Sequence, residues 1–141
     1  MAKEGLQELM PEAIFLGSVP QTDLAWLYAS CDVFVFPSIT ETYGNVVVEA
    51  MASGCPSVIA QGGGSQSHIV HGENGYLVNP DVAEEYLSYA QQIIENPTLA
   101  AELIAEGRVY TQNLDWDKLC DRYFEKIANV ISNSCPLLKS A

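Results

Sequence analysis

Apolar residues are spaced in two ways along this chain. Short unbroken runs, Ile14-Phe15-Leu16, Val33-Phe34-Val35-Phe36, Val58-Ile59-Ala60 and Tyr76-Leu77-Val78, lack polar alternation, the pattern of parallel strands covered on both faces. Elsewhere apolar positions recur every three or four residues, as on one face of a helix. Leu24, Leu27 and Tyr28 form one such stripe, and Val82, Tyr86, Tyr89, Ala90, Ile93 and Ile94 a second. Leu99, Leu103 and Ile104 form a third, and Trp116, Leu119, Tyr123, Ile127 and Ile131 a fourth. Strands alternating with helices predict an α/β domain on a Rossmann-like parallel sheet of about four strands with flanking helices.

Local punctuation sets the expected boundaries. Met1 to Met10 reads as a short helix or frayed end, and Thr22 or Asp23 as the cap of a helix running to Ser30. Pro37 ends the second apolar run, because proline cannot donate to a ladder. Val46 to Ser53 predicts a helix closed by Gly54 as its C-cap. Ser65 to His71 reads as a short helix with Ile69 and Val70 inward, followed by the turn Gly72-Glu73-Asn74-Gly75. Asp81 and Glu84 are spaced as a capping box, Asn96-Pro97 as a cap and helix start, and Asp115 as the cap of the last helix. The expected organisation is one domain over residues 1–132 and a disordered tail over 133–141.

Composition narrows the function classes. A chain of 141 residues, 48% hydrophobic and 17% charged, is long enough for one respectable core and is neither disordered nor fibrous. Its four cysteines form no CxxC pair and its two histidines lack zinc-site spacing, so no metal is expected and the thiols read as buried and reduced. No leader and no membrane-length apolar run is apparent, which predicts a cytoplasmic protein without an integral membrane segment. The net charge of −12 makes nucleic acid a poor partner. The cations are Lys3, Arg108, Lys118, Arg122, Lys126 and Lys139, leaving none between Glu4 and Gly107.

The stretch from Asp32 to Gly64 carries the candidate chemistry. An open α/β sheet binds ligands beyond the carboxyl ends of its strands, here the loop between the Val33–Phe36 run and the next helix. At that helix start the amides of Gly44, Asn45 and Val46 are free donors, and the helix dipole favours a phosphate there. Gly44 permits close backbone approach. Glu41 lies before the helix and Glu49 one turn beyond Asn45, so the two carboxylates could meet opposite ends of one extended ligand carrying sugar and ribose hydroxyls. The alternative is a solvated loop acid and a solvated helix face.

Phe36-Pro37-Ser38, Glu41-Thr42-Tyr43-Gly44-Asn45-Val46-Val47-Val48-Glu49-Ala50-Met51-Ala52-Ser53-Gly54-Cys55-Pro56, Gly63-Gly64 and Gly72-Glu73-Asn74-Gly75-Tyr76-Leu77-Val78 together resemble retaining glycosyltransferases of family four. Those enzymes have the GT-B architecture of two Rossmann-like domains. The resemblance, from about Phe15 to about Tyr123, is to the C-terminal domain that binds the nucleotide sugar. It implies that Glu41 is the catalytic-site acid contacting donor-sugar hydroxyls, helped by the amides of Tyr43 and Gly44. It implies that the Asn45 and Val46 amides hold the diphosphate and that Glu49 accepts hydrogen bonds from the ribose. Gly63, Gly64 and His68 would belong to a donor loop. His68 stands where relatives often carry an acid; it could probe a sugar hydroxyl or be a partly exposed loop histidine, and His71 reads as a surface residue. No metal cofactor is implied. The donor would be a UDP- or GDP-type nucleotide sugar, and Gly-Asn-Val-Val-Val-Glu-Ala is most similar to members that transfer mannose or similar hexoses, with retention.

Three departures from that pattern shape the expected activity. The strand–helix units that carry a diphosphate-neutralising Arg and Lys in relatives are not in this sequence, and neither is the N-terminal domain with the acceptor site. The Ile14–Leu16 strand would normally lie beyond those missing strands, so it must pair anew, detach or await a partner. The resemblance therefore implies a truncated glycosyltransferase domain, with a separate chain as one source of the missing domain. A non-catalytic nucleotide-sugar-binding or interaction module and an inactive gene fragment are the alternatives. The aromatic stripe of the last helix is read as core or as a surface that meets the missing domain.

Overall fold

The computed structural model describes residues 2–134. Three parallel strands, β1 (Phe34–Phe36), β2 (Ser57–Ala60) and β3 (Tyr76–Val78), lie side by side in that order. Val35 is opposite Val58 and Ile59 opposite Leu77. The helices are α1 (Ala2–Leu9), α2 (Gln21–Ala29), α3 (Asn45–Ser53), α4 (Ala83–Glu95), α5 (Pro97–Gln112) and α6 (Trp116–Ser134), with a 3₁₀ turn at Ser65–His68.

β2 is buried along its whole length, and alternate residues serve two cores. Val58 and Ala60 join Tyr76, Val78, Tyr86, Ile93 and Leu103 on the face covered by α4 and α5. Ile59 points the other way, into Val47, Met51 and Ile69, with Phe34, Phe36 and Tyr110 at the margin. Helix α5 supplies both sides: Leu103 enters the first core, and Gly107 faces Met51 of α3. At the end of α3, Gly54 takes the expected left-handed C-cap conformation (φ 83°), and its amide donates to the carbonyl of Met51.

The sheet has three strands, not four. Ile14-Phe15-Leu16 pairs with nothing among the described residues, and Ile14 is 86% exposed. An apolar run signals that burial would be favourable but carries no information about whether a neighbouring ladder exists to accept it. Other boundaries also moved. Helix α2 begins at Gln21 after Pro20, and neither Thr22 nor Asp23 caps it. The capping box at Asp81 and Glu84 does not form, because the chain turns later, at Val82. Glu85 instead accepts from the Asn79 amide at 2.8 Å, and Asn79 accepts from the Asp81 amide.

Asn96 does cap α5, accepting from the Leu99 amide, and Asp115 accepts from the Asp117 amide at the start of α6. The helix expected over Ser65–His71 stops at His68, with Ile69 buried but Val70 exposed. The stripe on α6 is not core: Tyr123 is 64% exposed, and Phe124, Val130 and Ile131 are exposed with it. The Trp116 side chain falls outside the described residues. So does the tail from 135 onward, while Asn133 and Ser134 are helical.

Candidate functional site

The loop leaving β1 at Pro37 reaches α3 through Gly44, which sits at the N-cap in the left-handed region (φ 87°, ψ 46°). A side chain there would be strained, and its Cβ would stand 2.5 Å from the Cβ of Ser65. The carbonyl of Gly44 accepts from the Val47 and Val48 amides, opening the helix. Among the described residues nothing accepts the amide hydrogens of Gly44, Asn45 or Val46. Three free donors thus lie at the positive end of the α3 dipole, an arrangement suited to an anion.

The glycine-rich segment Gly62-Gly63-Gly64 lies against this loop backbone to backbone. The Gly64 amide donates to the carbonyl of Glu41 at 2.7 Å. A Cβ on Gly64 would overlap the carbonyl of Thr42, and one on Gly63 the carbonyl of Ile39. Gly63 and Gly64, expected in a donor loop, are placed as the support on which the acidic loop rests.

The two carboxylates sit differently. Glu41 is exposed in the loop. Glu49 is half-buried and lines a hollow of about 230 Å³ between α2 and α3, with Gln21, Leu24, Tyr28 and Ser53, a wall that does not include Glu41. Burial, and then the nearby Glu49 carboxylate, raises the Tyr28 hydroxyl above its ordinary range, so the phenol stays a neutral donor beside that acid. Arg108, the first cation after the long cation-free span, reaches the opposite end of α3, where its Nη2 lies 3.5 Å from the carbonyl of Ser53. That position favours the helix dipole but leaves the free amides without a cationic neighbour from α5.

His68 is where the sequence was least informative. Its ring is 2% exposed, not half-open at the loop surface, and both nitrogens already have protein partners. Nε2 lies 2.7 Å from the carbonyl oxygen of Tyr43 and Nδ1 2.9 Å from the hydroxyl of Tyr110. Tyr43 also packs edge-on against the ring, with centroids 4.5 Å apart. The Tyr110 partner is 42 residues away, and only the docking of α5 on α3 brings it within reach. His71 is exposed, as expected, with Nδ1 accepting from the Leu77 amide. No group of three or more potential metal ligands gathers among the described residues, and no helix there is long and apolar enough to cross a membrane.

Comparison with known proteins places this geometry. Residues 5–110 match the family described as glycosyl transferases group 1. The chain is 36% identical over 129 residues to a GDP-mannose-dependent alpha-mannosyltransferase of Corynebacterium glutamicum, covering 92% of this chain and 31% of that protein. It is 38% identical over 120 residues to a sulfoquinovosyl transferase of Arabidopsis thaliana, covering 81% of this chain and 23% of that one. Among solved structures, a sucrose-phosphate synthase from Thermosynechococcus elongatus superposes with a TM-score of 0.77 at 30% identity, over 92% of this chain and 34% of the other. Anabaena HepE in complex with UDP-glucose superposes with a TM-score of 0.74 at 28% identity, over 89% and 34%. This chain thus spans about a third or less of the length of these relatives. With its parallel α/β sheet and flanking helices shared with GT-B enzymes, the chain belongs to the glycosyl transferases group 1 family.

Proposed function

We propose that this chain forms the donor-binding half of a retaining glycosyltransferase that transfers a hexosyl group, with mannose favoured, from a UDP- or GDP-type nucleotide sugar. The observation that carries the reading is the trio of unpartnered amides at Gly44, Asn45 and Val46 at the start of α3. Their place in the sequence between Glu41 and Glu49 supports it. The likeness to a mannosyltransferase dependent on GDP-mannose and to HepE bound to UDP-glucose supports the donor class.

In this reading the amides hold the diphosphate and stabilise the charge left on it as the bond to the anomeric carbon breaks. Glu41 accepts hydrogen bonds from the sugar, and Glu49, in the hollow beside α2, accepts them from the ribose. A second domain, on a longer polypeptide or a separate chain, supplies the acceptor and closes the cleft against water. The helix-terminus amides together contribute about 0.3–2 kcal/mol to holding an anion, less than the cost of several kcal/mol for a poorly paired charge. Donor binding by this chain by itself is therefore weak.

The test is titration of the ¹⁵N-labelled chain with UDP, GDP, UDP-glucose and GDP-mannose, with AMP as control. Millimolar or weaker saturable binding that perturbs the Gly44, Asn45 and Val46 amides first is expected. If none of the four moves those amides more than AMP does, the reading fails.

A further inference from the structure

The free amides at α3 can hold an anion only if they point in one fixed direction, yet the loop before them is exposed from Ile39 to Tyr43. The structure shows what fixes the last of its peptides. The carbonyl of Tyr43 and the amide of Gly44 belong to one planar peptide unit, and every peptide bond described here is trans. In a trans peptide the C=O and N–H vectors point in opposite directions, so whatever grips the oxygen also aims the hydrogen.

His68 grips that oxygen. A carbonyl can only accept, so Nε2, at 2.7 Å, carries the hydrogen. Nδ1 of the neutral ring is then left as an acceptor, and the Tyr110 hydroxyl at 2.9 Å is the donor that matches it. Burial raises the Tyr110 hydroxyl above its ordinary range, which keeps that proton in place. The relay Tyr110–His68–Tyr43 thus has one consistent set of hydrogens from α5 to the mouth of α3. Two residues upstream the Gly64 amide holds the carbonyl of Glu41, so the 62–68 segment clamps the loop on both sides of Thr42. Beside the clamp, the Cα and Cβ of Ser65 fill the space a side chain on Gly44 would need, and the buried Ser65 hydroxyl has no partner among the described residues.

We propose that His68 is a positioning residue of the donor site: by holding the Tyr43 carbonyl through Nε2 it orients the Gly44 N–H toward the diphosphate of a nucleotide sugar. This rests on the donor reading above and adds to it a buried residue that touches no ligand. Gln can place an amide N–H near the position of Nε2, whereas Asn and Ala cannot, and the test exploits that difference.

The full chain and its His68→Ala, His68→Asn, His68→Gln and Tyr110→Phe variants are titrated with GDP and UDP, following the Gly44 amide and the His68 ring nitrogens by ¹⁵N NMR. The wild-type ring should show a protonated Nε2 and an unprotonated Nδ1. His68→Ala and His68→Asn should weaken nucleotide binding about tenfold, the worth of one well-made hydrogen bond, with the Gly44 amide displaced in the free protein. His68→Gln should recover binding to within about threefold of wild type, and Tyr110→Phe, which leaves the Tyr43 contact, should change it by less than about threefold. If one truncation fails to fold, the other decides, and the wild-type ring tautomer is read independently of both. A wild-type Nδ1–H tautomer, unchanged binding in His68→Ala, or Gln no better than Asn overturns the proposal. Absence of nucleotide binding by the wild type overturns the donor reading itself, a result distinct from binding that ignores His68.

Discussion

Gly64 donates its amide hydrogen to the carbonyl oxygen of Glu41 at 2.7 Å, and its α-carbon stands where a side chain would run into the carbonyl of Thr42. Its own backbone is ordinary (φ −75°, ψ −31°), so the glycine is required by proximity alone. Gly72 is the converse, at φ +81° with open space around it, and Gly44 combines both constraints. Alanine at Gly72 should cost about 1–2 kcal/mol from backbone strain. Alanine at Gly64 should cost about 1–3 kcal/mol from overpacking. Gly44→Ala should cost about 2–5 kcal/mol from both causes, more than Gly72→Ala. Urea denaturation of the three variants checks the order, and a Gly44→Ala protein as stable as Gly72→Ala would contradict it.

Glu49 is half-buried in the hollow beside α2, and the ribose is the ligand proposed for it. Replacing it by Ala should leave the fold intact while weakening GDP binding about tenfold. The same substitution should have no effect on 2′,3′-dideoxy-GDP, which lacks the hydroxyls that the carboxylate accepts from. Equal losses for both nucleotides would show that Glu49 acts elsewhere.

Burial pushes the Cys55 thiol up to about 12 from an ordinary 9.0, with Cys31 and Asp32 adding to the shift. The folded chain therefore keeps a proton that the unfolded chain releases, so this contribution is intact below about pH 9 and fades as pH rises toward about pH 12. Tyr28, Tyr76, Tyr86 and Tyr110, also raised by burial, act in the same direction. Stability should fall between about pH 9 and about pH 11, and Cys55→Ala should reduce that slope by up to about 1.4 kcal/mol per pH unit. In a variant retaining only Cys55, the thiol should resist alkylation until the protein is unfolded. Rapid labelling of the native protein would refute its burial.

Ile59 and Ile14 were both read as strand residues, but only one is in the sheet. Ile59 is fully buried between Val47, Met51 and Ile69, so Ile59→Ala should cost about 2–5 kcal/mol. Ile14→Ser, at an exposed position, should change stability by no more than about 0.5 kcal/mol. A large loss at Ile14 would mean that this segment pairs with something in solution.

The sequence by itself determined what depends on near neighbours along the chain. The unbroken runs at Phe34–Phe36, Val58–Ala60 and Tyr76–Val78 are the parallel strands, Gly54 and Asn96 close and open the helices they were expected to, and the α3 start carries free amides. Each is a matter of local geometry, written within a few residues. Tertiary structure alone decided the rest, because it concerns which distant surfaces meet. Ile14-Phe15-Leu16 has a strand's apolarity but pairs with nothing among the described residues, and the α6 stripe has a helix's apolarity but lies exposed. His68 reads as a loop residue until α5 brings Tyr110 to one ring nitrogen and the acidic loop brings the Tyr43 carbonyl to the other. A residue's burial and its hydrogen-bond partners are properties of the packed molecule, and no spacing along the chain encodes them.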